Sequence, residues 1–358
     1  MSLVWWKRVL SSAVEVRESK RGAENAGRLI SGQMFPSAGK PELGVFASQD
    51  LDDQSCVGFL KADYVFSAPN VLASSTFPLI GFASDALQGY ESLRTAKPAL
   101  FNSIELALFL WMERRAEGLG FTSESWASWT ADLPDCCPGN GAFQTAANVE
   151  KLLPPSVQTK LSVEDKKSLL TATQQYDKFV GTFSEALERD LIDALQIIEA
   201  EGGTYLWGRG DPQKQNWPFE ELFREELSLI LSRGIDFRQV KKENPLDQAL
   251  AAALGDFAIL PGLDFVNHSD QPNAEIVLAG GQERPSSWLT DCSGDLSSPS
   301  GVALRLTRPV TAGEEILINY GPGSGRDYLF RYGFVDGEPE HFMQTPNDKT
   351  SPLAVYHA

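Results

Sequence analysis

Two short polar stretches near the C-terminus contain the residues best suited to chemistry. Asn267-His268-Ser269 directly follows a largely apolar run, and Asn319-Tyr320-Gly321 ends a strand-like run further along the chain. The first stretch supplies an amide and an imidazole, and the second supplies an aromatic hydroxyl beside a glycine; these groups bind ligands through hydrogen bonds. We expect the two stretches to meet in space and to form one site.

The sequence argues against several other kinds of site. The chain has 3 histidines and 4 cysteines, and none of the cysteines forms a C-x-x-C pair, so no metal site is expected at His268 or elsewhere. Neither a Gly-x-Ser-x-Gly elbow nor a His-Glu-x-x-His pattern occurs. The glycine-rich run at 321–325 lacks the Lys-Ser/Thr ending of a phosphate loop and predicts a flexible turn.

Composition and charge limit the class of protein and its partners. The chain has 358 residues, of which 42% are hydrophobic and 10% aromatic, and this predicts a globular fold of one or two domains. A net charge of −17 argues against nucleic-acid binding and is compatible with a basic partner, although many acidic soluble proteins have no such partner.

The expected location is inside the cell, away from membranes. The apolar run Leu106–Met112 is too short to cross a bilayer, and the N-terminus lacks the long apolar block of a secretory signal. Few, scattered cysteines fit a reducing compartment. We expect the cytoplasm, with plastid or nucleus left open, because the basic N-terminus is compatible with a transit segment as well as with an amphipathic helix.

The order of predicted elements is β-rich, helical and β-rich, which predicts an α+β fold with one discontinuous β domain. We divide the chain into a lead-in with a short helix (1–40), a first β-rich part (41–102), a helical insertion (103–255), a second β-rich part (256–336) and a tail (337–358).

Alternation and turn residues predict individual strands, and apolar spacing predicts individual helices. The predicted strands are Gly44–Asp50, Val57–Leu60, Tyr64–Phe66, Ala274–Leu278, Val302–Leu306 and Glu315–Asn319. The predicted helices begin at Ser103 and Pro218, cover 180–200, and cover Leu246–Leu254.

Together, these stretches resemble a known family. Leu263–Ser269, followed by Gly313–Gly321 and Tyr332-Gly333-Phe334, resembles the C-terminal half of a SET domain. The similarity is to SET enzymes with a large helical insertion, typified by the RuBisCO large-subunit lysine methyltransferase family. Asn-His-Ser with Asn-Tyr-Gly at this spacing is specific, whereas either motif alone would be weak. The resemblance covers roughly residues 41–336 and extends to three further stretches, Leu43–Ala47, Glu105–Leu110 and Ser232-Arg233.

The resemblance implies methyl transfer from S-adenosylmethionine to a lysine of a protein substrate, although some relatives methylate histidine. In such an enzyme the acceptor amine must be neutral, and an apolar channel lowers the pKa of a lysine from its usual value of about 10.4. Tyr320 matches the catalytic tyrosine, whose hydroxyl lies beside the transferring methyl group and the amine. The other matching positions are cofactor-binding Leu43, Gly44, Arg233, Asn267 and His268, and substrate-binding Asp264 and Tyr332.

Each of these residues also has an ordinary structural interpretation. Tyr320 would then be a half-buried tyrosine at a strand end, and Asn267-His268 a buried pair that satisfies a turn. Arg233 would be a solvated arginine at a helix C-terminus, where the helix dipole favours it. Tyr332 would be plain core packing.

The sequence departs from the family pattern in two places. Glu42-Leu43-Gly44 stands where the family has Gly-x-Gly, so Glu42 either crowds the cofactor or pairs with its amino group. The chain also ends soon after Gly337, where relatives continue into a helical substrate-binding domain. A catalytically weak or inactive SET-like module that binds a protein partner is therefore the alternative function.

Overall fold

A computed structural model describes most of the chain's regular elements. It covers residues 9–18, 43–74, 87, 89–96, 98–115, 126, 129–130, 133, 153, 155–200, 219–237, 248–279, 300–321 and 325–332. The fold is α+β, as predicted. Within these ranges, no helix is both long and apolar enough to cross a membrane.

In the described part of the chain, ten strands form three small sheets. The strands are β1 (Val14–Glu18), β2 (Leu43–Ala47), β3 (Cys56–Lys61), β4 (Phe66–Ser67), β5 (Ile235–Asp236), β6 (Phe257–Ile259), β7 (Asn267–His268), β8 (Ala274–Ala279), β9 (Gly301–Leu306) and β10 (Glu315–Ile318). The sheets have the strand orders β1-β2-β10-β7, β3-β9-β8 and β4-β6-β5.

The helices lie mainly between the two β-rich parts. They are α1 (Ala68–Ser74), α2 (Glu91–Ala96), α3 (Pro98–Arg115), α4 (Pro155–Lys160), α5 (Val163–Ala200), α6 (Phe219–Arg233), α7 (Gln248–Leu254) and α8 (Gly325–Tyr332). Among the residues that the structure describes, short 3₁₀ turns cover Ala62–Tyr64 and Leu263–Phe265.

The four-stranded sheet brings distant parts of the chain together. Strand β10 pairs antiparallel with β2 and parallel with β7. In the parallel pair, Leu317 is the partner of Asn267 and Ile318 is the partner of His268. The two polar stretches that we expected to meet are therefore neighbours in one sheet.

The strands predicted in the second β-rich part are confirmed as β8, β9 and β10. One prediction in the first β-rich part is wrong. Tyr64 ends a 3₁₀ turn, and the strand that follows begins only at Phe66. The lead-in over 1–40 contains an unpredicted strand at Val14–Glu18, which pairs with β2 along its whole length, and the rest of the lead-in lies outside the described residues apart from 9–13.

The N-terminal residues join the fold because their apolar side chains are buried. Val9 and Leu10 are each 2% exposed, and Val14 is 4% exposed. Within β1, apolar and charged residues alternate from Val14 to Arg17, and this is the pattern of a half-buried strand. The remaining domain limits stay predictions.

Helix α3 begins at Pro98, earlier than the predicted start at Ser103. Proline suits the first turn of a helix because it has no N–H to leave unpaired there. Residues 106–112 are buried on every side, so α3 is an interior helix with no single apolar face. It packs against α6, and Arg114 forms a buried ion pair with Glu226 at 2.8 Å between the two helices.

Helix α5 begins at Val163, well before the predicted start at residue 180. Its start is a reciprocal cap between Ser162 and Asp165. The Asp165 N–H donates to Ser162 Oγ at 3.1 Å, and the Ser162 N–H donates to Asp165 Oδ2 at 3.2 Å. Such a cap satisfies backbone donors that the first helical turn leaves open.

Glu113 on α3 makes protein stability depend on pH. Both of its carboxyl oxygens are buried and lack a hydrogen-bond partner within the described part of the chain. Burial raises the pKa of Glu113 from 4.5 to about 8. Because this pKa is raised on folding, the stabilisation is present below pH 4.5 and is lost as the pH rises towards 8.

We expect the free energy of unfolding of Glu113→Gln to exceed that of the wild type by roughly 2–4 kcal/mol at pH 8 and to match it near pH 4. Glutamine is neutral at both pH values and therefore removes this titration. Urea unfolding at both pH values measures the difference, with Glu164→Gln on the exposed start of α5 as the control. Equal pH dependence in Glu113→Gln and wild type would contradict the assignment.

Candidate functional site

The site is built around the segment Leu263–Ser269. A turn at Gly262, with φ of 85°, leads into the 3₁₀ turn Leu263–Phe265 and then into β7. Asp264 closes this turn because its Oδ1 accepts a hydrogen bond from the Gly262 N–H at 2.8 Å. The local sequence therefore sets the direction in which β7 leaves the turn.

The Asp264 carboxylate is buried and accepts hydrogen bonds from two side chains of the helical insertion. Arg233 Nη1 donates to Asp264 Oδ2 at 2.8 Å and to the Asp264 carbonyl oxygen at 3.0 Å. Trp129 Nε1 donates to the same Oδ2 at 3.3 Å. The Asp264 side chain is 0% exposed, so its visible role is to anchor Arg233, while substrate binding by Asp264 stays a prediction.

Arg233 keeps part of its guanidinium accessible. The side chain is 20% exposed, and its hydrogen bonds to described residues all use Nη1. The guanidinium carbon also lies 5.9 Å from the centre of the Phe265 ring. A fixed guanidinium with a free edge is suited to a carboxylate, because it can donate two parallel hydrogen bonds.

Arg331 of α8 forms hydrogen bonds with the C-terminal end of α6, where Arg233 lies. Its Nη2 donates to the Gly234 carbonyl oxygen at 2.9 Å, and its Nε lies 3.4 Å from the Leu231 carbonyl oxygen. These contacts satisfy carbonyl groups that the last turn of α6 leaves open. Helix α8 therefore helps to fix the position of Arg233.

His268 and Tyr320 are joined by a hydrogen bond across the parallel strands. The Tyr320 backbone N–H donates to His268 Nδ1 at 3.1 Å. A ring nitrogen that accepts a hydrogen bond carries no proton, so the imidazole proton resides on Nε2 in this arrangement. The two rings lie 5.2 Å apart between centres.

The Tyr320 hydroxyl has a fixed direction. It donates to the Val266 carbonyl oxygen at 3.0 Å. Since the hydroxyl proton is used in this bond, the Tyr320 oxygen can act towards a further partner only as an acceptor. The backbone turns away immediately after this residue at Gly321, whose φ of 99° would strain any side chain.

Three tyrosines and a histidine form what we call the aromatic cluster: His268, Tyr320, Tyr328 and Tyr332. Ring centres lie 4.7 Å apart for Tyr320 and Tyr332, 5.0 Å apart for His268 and Tyr328, and 5.4 Å apart for Tyr328 and Tyr332. The Tyr328 hydroxyl donates to the Gly321 carbonyl oxygen at 2.7 Å. Sequence analysis missed Tyr328, although its spacing of four residues from Tyr332 places both on one helix face.

Burial raises the pKa of the Tyr332 phenol, against a lowering by Arg331 and with a smaller raising effect from Asp327. The ordinary pKa of a tyrosine is already near 10. Tyr332 is therefore a neutral phenol at physiological pH and cannot serve there as a base.

Asn267 joins the first β-rich part to the site. Its Nδ2 donates to Glu315 Oε1 at 2.8 Å and to the Leu43 carbonyl oxygen at 3.3 Å. A Cβ added at Gly44 would overlap Glu315 Oε1 and would lie 3.0 Å from Asn267 Nδ2. Glycine at position 44 thus allows this close approach, and a larger residue there would have to displace the Glu315 carboxylate. Glu315 was not among the predicted site residues.

Within the described part of the chain, the predicted site residues contact one another in separate groups. Arg233 contacts Asp264, Asn267 contacts the Leu43 carbonyl, and His268 connects through Tyr320 to Tyr332. Glu42 and the residues Gly333-Phe334 lie outside the described part of the chain.

Comparison with known proteins now decides the family. A family model of the SET domain matches residues 42–321, which is most of the chain. The chain belongs to the SET domain family. This confirms the family predicted from the paired motifs Asn267-His268-Ser269 and Asn319-Tyr320-Gly321.

Solved structures show the same SET fold at low sequence identity. A crystal structure of the SET domain of LSMT bound to lysine and AdoHcy is 17% identical with a TM-score of 0.54, and the match covers 94% of this chain and 58% of that one. A second, bound to MeLysine and AdoHcy, is 15% identical with a TM-score of 0.51, and the match covers 92% and 54% of the two chains. This SET chain therefore spans little more than half of those chains.

A curated relative matches a short part of the chain. Protein-lysine N-methyltransferase SMYD4 of Danio rerio is 38% identical over 76 residues, which cover 19% of this chain and 10% of the relative. The matched stretch is thus a tenth of that protein.

The Arg233–Asp264 pair should contribute to the stability of the SET fold. We expect a double-mutant cycle of Asp264→Asn and Arg233→Gln to give a coupling energy of about 1–3 kcal/mol. The coupling should be this strong because the Asp264 carboxylate is buried, so water cannot replace Arg233 as its hydrogen-bond partner. Denaturant unfolding of the wild type, both single variants and the double variant gives this value.

The control cycle uses Glu275 and Arg305, a pair whose side chains are 44% and 29% exposed. Its coupling energy should stay below about 1 kcal/mol because water competes for both groups. Equal coupling in the two cycles would show that burial does not strengthen the Arg233–Asp264 pair.

Proposed function

We propose that this protein transfers a methyl group from S-adenosylmethionine to the side-chain nitrogen of a lysine in a protein substrate. The observation that carries the proposal is the position of Tyr320, whose hydroxyl donates to the Val266 carbonyl oxygen and whose ring packs against Tyr332. Membership of the SET family supports it, as do the similar LSMT structures that hold lysine and AdoHcy.

The residues present fit the amino-acid part of this cofactor. The accessible edge of Arg233 suits a carboxylate. The Leu43 carbonyl and Asn267 lie close together beside Gly44. We call this space the glycine cradle, because a side chain at position 44 would fill it. When bound, S-adenosylmethionine supplies a methyl group on a positively charged sulfur.

The protein's contribution to the reaction is chiefly positioning. A direct displacement needs donor and acceptor in line, and fixing that geometry supplies much of the rate. The Tyr320 oxygen can accept a hydrogen bond from the acceptor amine, because its own proton is committed to Val266. Tyr320 therefore orients the amine.

The aromatic cluster prepares the lysine for attack. A lysine amine has a pKa of about 10.4 in water and must lose a proton before it can accept a methyl group. Aromatic rings exclude water and so favour the neutral amine. Tyr332 stays a neutral phenol and does not take up this proton. In the proposed reaction the lysine therefore loses its proton to solvent before its amine enters the aromatic cluster.

A second candidate is a SET module that binds a protein partner with weak or no catalysis. The observation that favours it is that the site's own donors already have internal acceptors. Asn267 donates to Glu315 and Leu43, and Arg233 donates to Asp264. Cofactor binding separates the two candidates, since the enzyme requires it.

We expect Tyr320→Phe to lower methyl transfer about 100-fold, in line with the loss of one positioned hydroxyl from a catalytic site. The dissociation constant for S-adenosylmethionine, measured by calorimetry, should change less than about twofold. Tyr90→Phe is the matched control, because Tyr90 packs on Phe183 outside the aromatic cluster. Full activity in Tyr320→Phe would remove Tyr320 from the catalytic role.

The substrate class can be tested with labelled S-adenosylmethionine and a cell extract, followed by mass spectrometry of the labelled protein. Label on a lysine side chain is the expected result. Label on histidine would change the acceptor but keep methyl transfer. Failure of the purified protein to bind S-adenosylmethionine at high micromolar concentration would favour the binding module.

A further inference from the structure

Tyr328 of α8 contacts the surroundings of Tyr320 at two points. Its hydroxyl donates to the carbonyl oxygen of Gly321, the residue that directly follows Tyr320, at 2.7 Å. Its ring centre lies 5.0 Å from that of His268. His268 in turn accepts the Tyr320 N–H through Nδ1 at 3.1 Å. Tyr328 therefore contacts both the backbone after Tyr320 and the ring that receives its N–H.

The turn after Tyr320 depends on side chains for its direction. Gly321 has a φ of 99°, and glycine has so wide a range of conformations that it does not fix the turn by itself. The Gly321 N–H donates to Asn319 Oδ1 at 2.8 Å in an exposed hydrogen bond. The Gly321 carbonyl oxygen accepts the hydroxyl of Tyr328, which is only 4% exposed. Water competes less for the second bond, so Tyr328 is the stronger constraint on the turn.

Helix α8 gives Tyr328 a fixed base. Phe330 packs edge-on against Tyr176 of α5, with ring centres 6.3 Å apart. Arg331 Nη2 donates to the carbonyl oxygen of Gly234, just after α6, at 2.9 Å. Helix α8 is thus held by two helices of the insertion, and Tyr328 extends this constraint to the turn at the end of the catalytic segment.

We propose that Tyr328 is a positioning residue that holds Tyr320 in the orientation needed for methyl transfer. Its hydroxyl fixes the backbone just after Tyr320, and its ring supports the imidazole that accepts the Tyr320 N–H. A displacement of about 1 Å in a reacting group can lower a rate about 100-fold, so a small movement of Tyr320 is sufficient to slow the reaction. The inference rests on the proposed function, in which the Tyr320 hydroxyl orients the acceptor amine.

The first test is a double-mutant cycle of Tyr328→Phe and Tyr320→Phe in the full chain. The readout is the initial rate of label transfer from saturating labelled S-adenosylmethionine to the proteins of a cell extract. We expect Tyr328→Phe to lower this rate about tenfold, because one buried hydrogen bond that fixes the turn is lost. The dissociation constant for S-adenosylmethionine should change less than about twofold.

The double variant distinguishes positioning from a general structural effect. In the Tyr320→Phe background, adding Tyr328→Phe should lower the rate less than about twofold further, because the hydroxyl that Tyr328 positions is already absent. Two independent effects would instead multiply, and the double variant would then be about tenfold slower than Tyr320→Phe.

The second test needs neither cofactor nor substrate. Amide hydrogen exchange, measured by NMR on the ligand-free full chain, reports how often the Tyr320 N–H leaves His268. We expect Tyr328→Phe to speed exchange of the Tyr320 amide about fivefold to tenfold, as for loss of one hydrogen bond. The Leu317 amide, which donates to Asn273 Oδ1 at 2.7 Å, should change less than about twofold.

Tyr176→Phe is the matched control. Tyr176 is also a buried tyrosine that packs on α8, through Phe330, but it lies outside the aromatic cluster. This variant should change neither the rate of label transfer nor the exchange of the Tyr320 amide by more than about twofold. Phenylalanine keeps the ring of each tyrosine, and thermal unfolding midpoints check that each variant is folded.

The outcomes separate this inference from the proposed function. Multiplicative effects in the cycle, an unchanged rate in Tyr328→Phe or unchanged exchange of the Tyr320 amide would each overturn the role of Tyr328 and leave methyl transfer intact. If the wild type transfers no methyl group, the proposed function fails, and exchange alone then decides whether Tyr328 fixes Tyr320. A non-multiplicative cycle with faster exchange at Tyr320 supports both.

Discussion

The parallel pairing of β7 with β10 is the contact on which the site depends. It places Leu317 beside Asn267 and Ile318 beside His268, although the strands are far apart in the chain. Asn273 reinforces the pairing, because its side-chain oxygen accepts the Leu317 N–H at 2.7 Å and its backbone N–H donates to the Leu317 carbonyl at 3.1 Å. Without this register, the Tyr320 N–H would not reach the His268 ring.

The helical insertion is part of the site's support. It supplies Arg233 and Trp129, whose side chains converge on the buried Asp264 carboxylate. Helix α8 then returns from the second β-rich part and caps the end of α6 through Arg331. The Asp264 carboxylate thus links the helical insertion to the turn that precedes β7. A shift of α6 would therefore move this turn.

The strands of the second β-rich part could be predicted because their apolar residues alternate. The meeting of Asn267-His268 with Tyr320 could be predicted because two specific motifs occur at a recognisable spacing. The strand at Val14–Glu18 was missed because the N-terminus is also basic, a pattern equally compatible with a helix. The roles of Glu315 and Asp264 could not be predicted, since each depends on a partner that only the tertiary fold supplies. A carboxylate's sequence position does not say whether it will be buried against an arginine or will accept a hydrogen bond from an amide.

Adjacent residues of β7 serve two different environments because successive side chains of a strand point to opposite faces. Asn267 faces Glu315 and the glycine cradle, a region rich in hydrogen-bonding oxygens. His268 faces Tyr320 and Tyr328 in the aromatic cluster. In the proposed reaction the charged end of the cofactor needs the first environment and the neutral amine needs the second. A single strand of two residues can separate them only because the β10 pairing holds both faces in register.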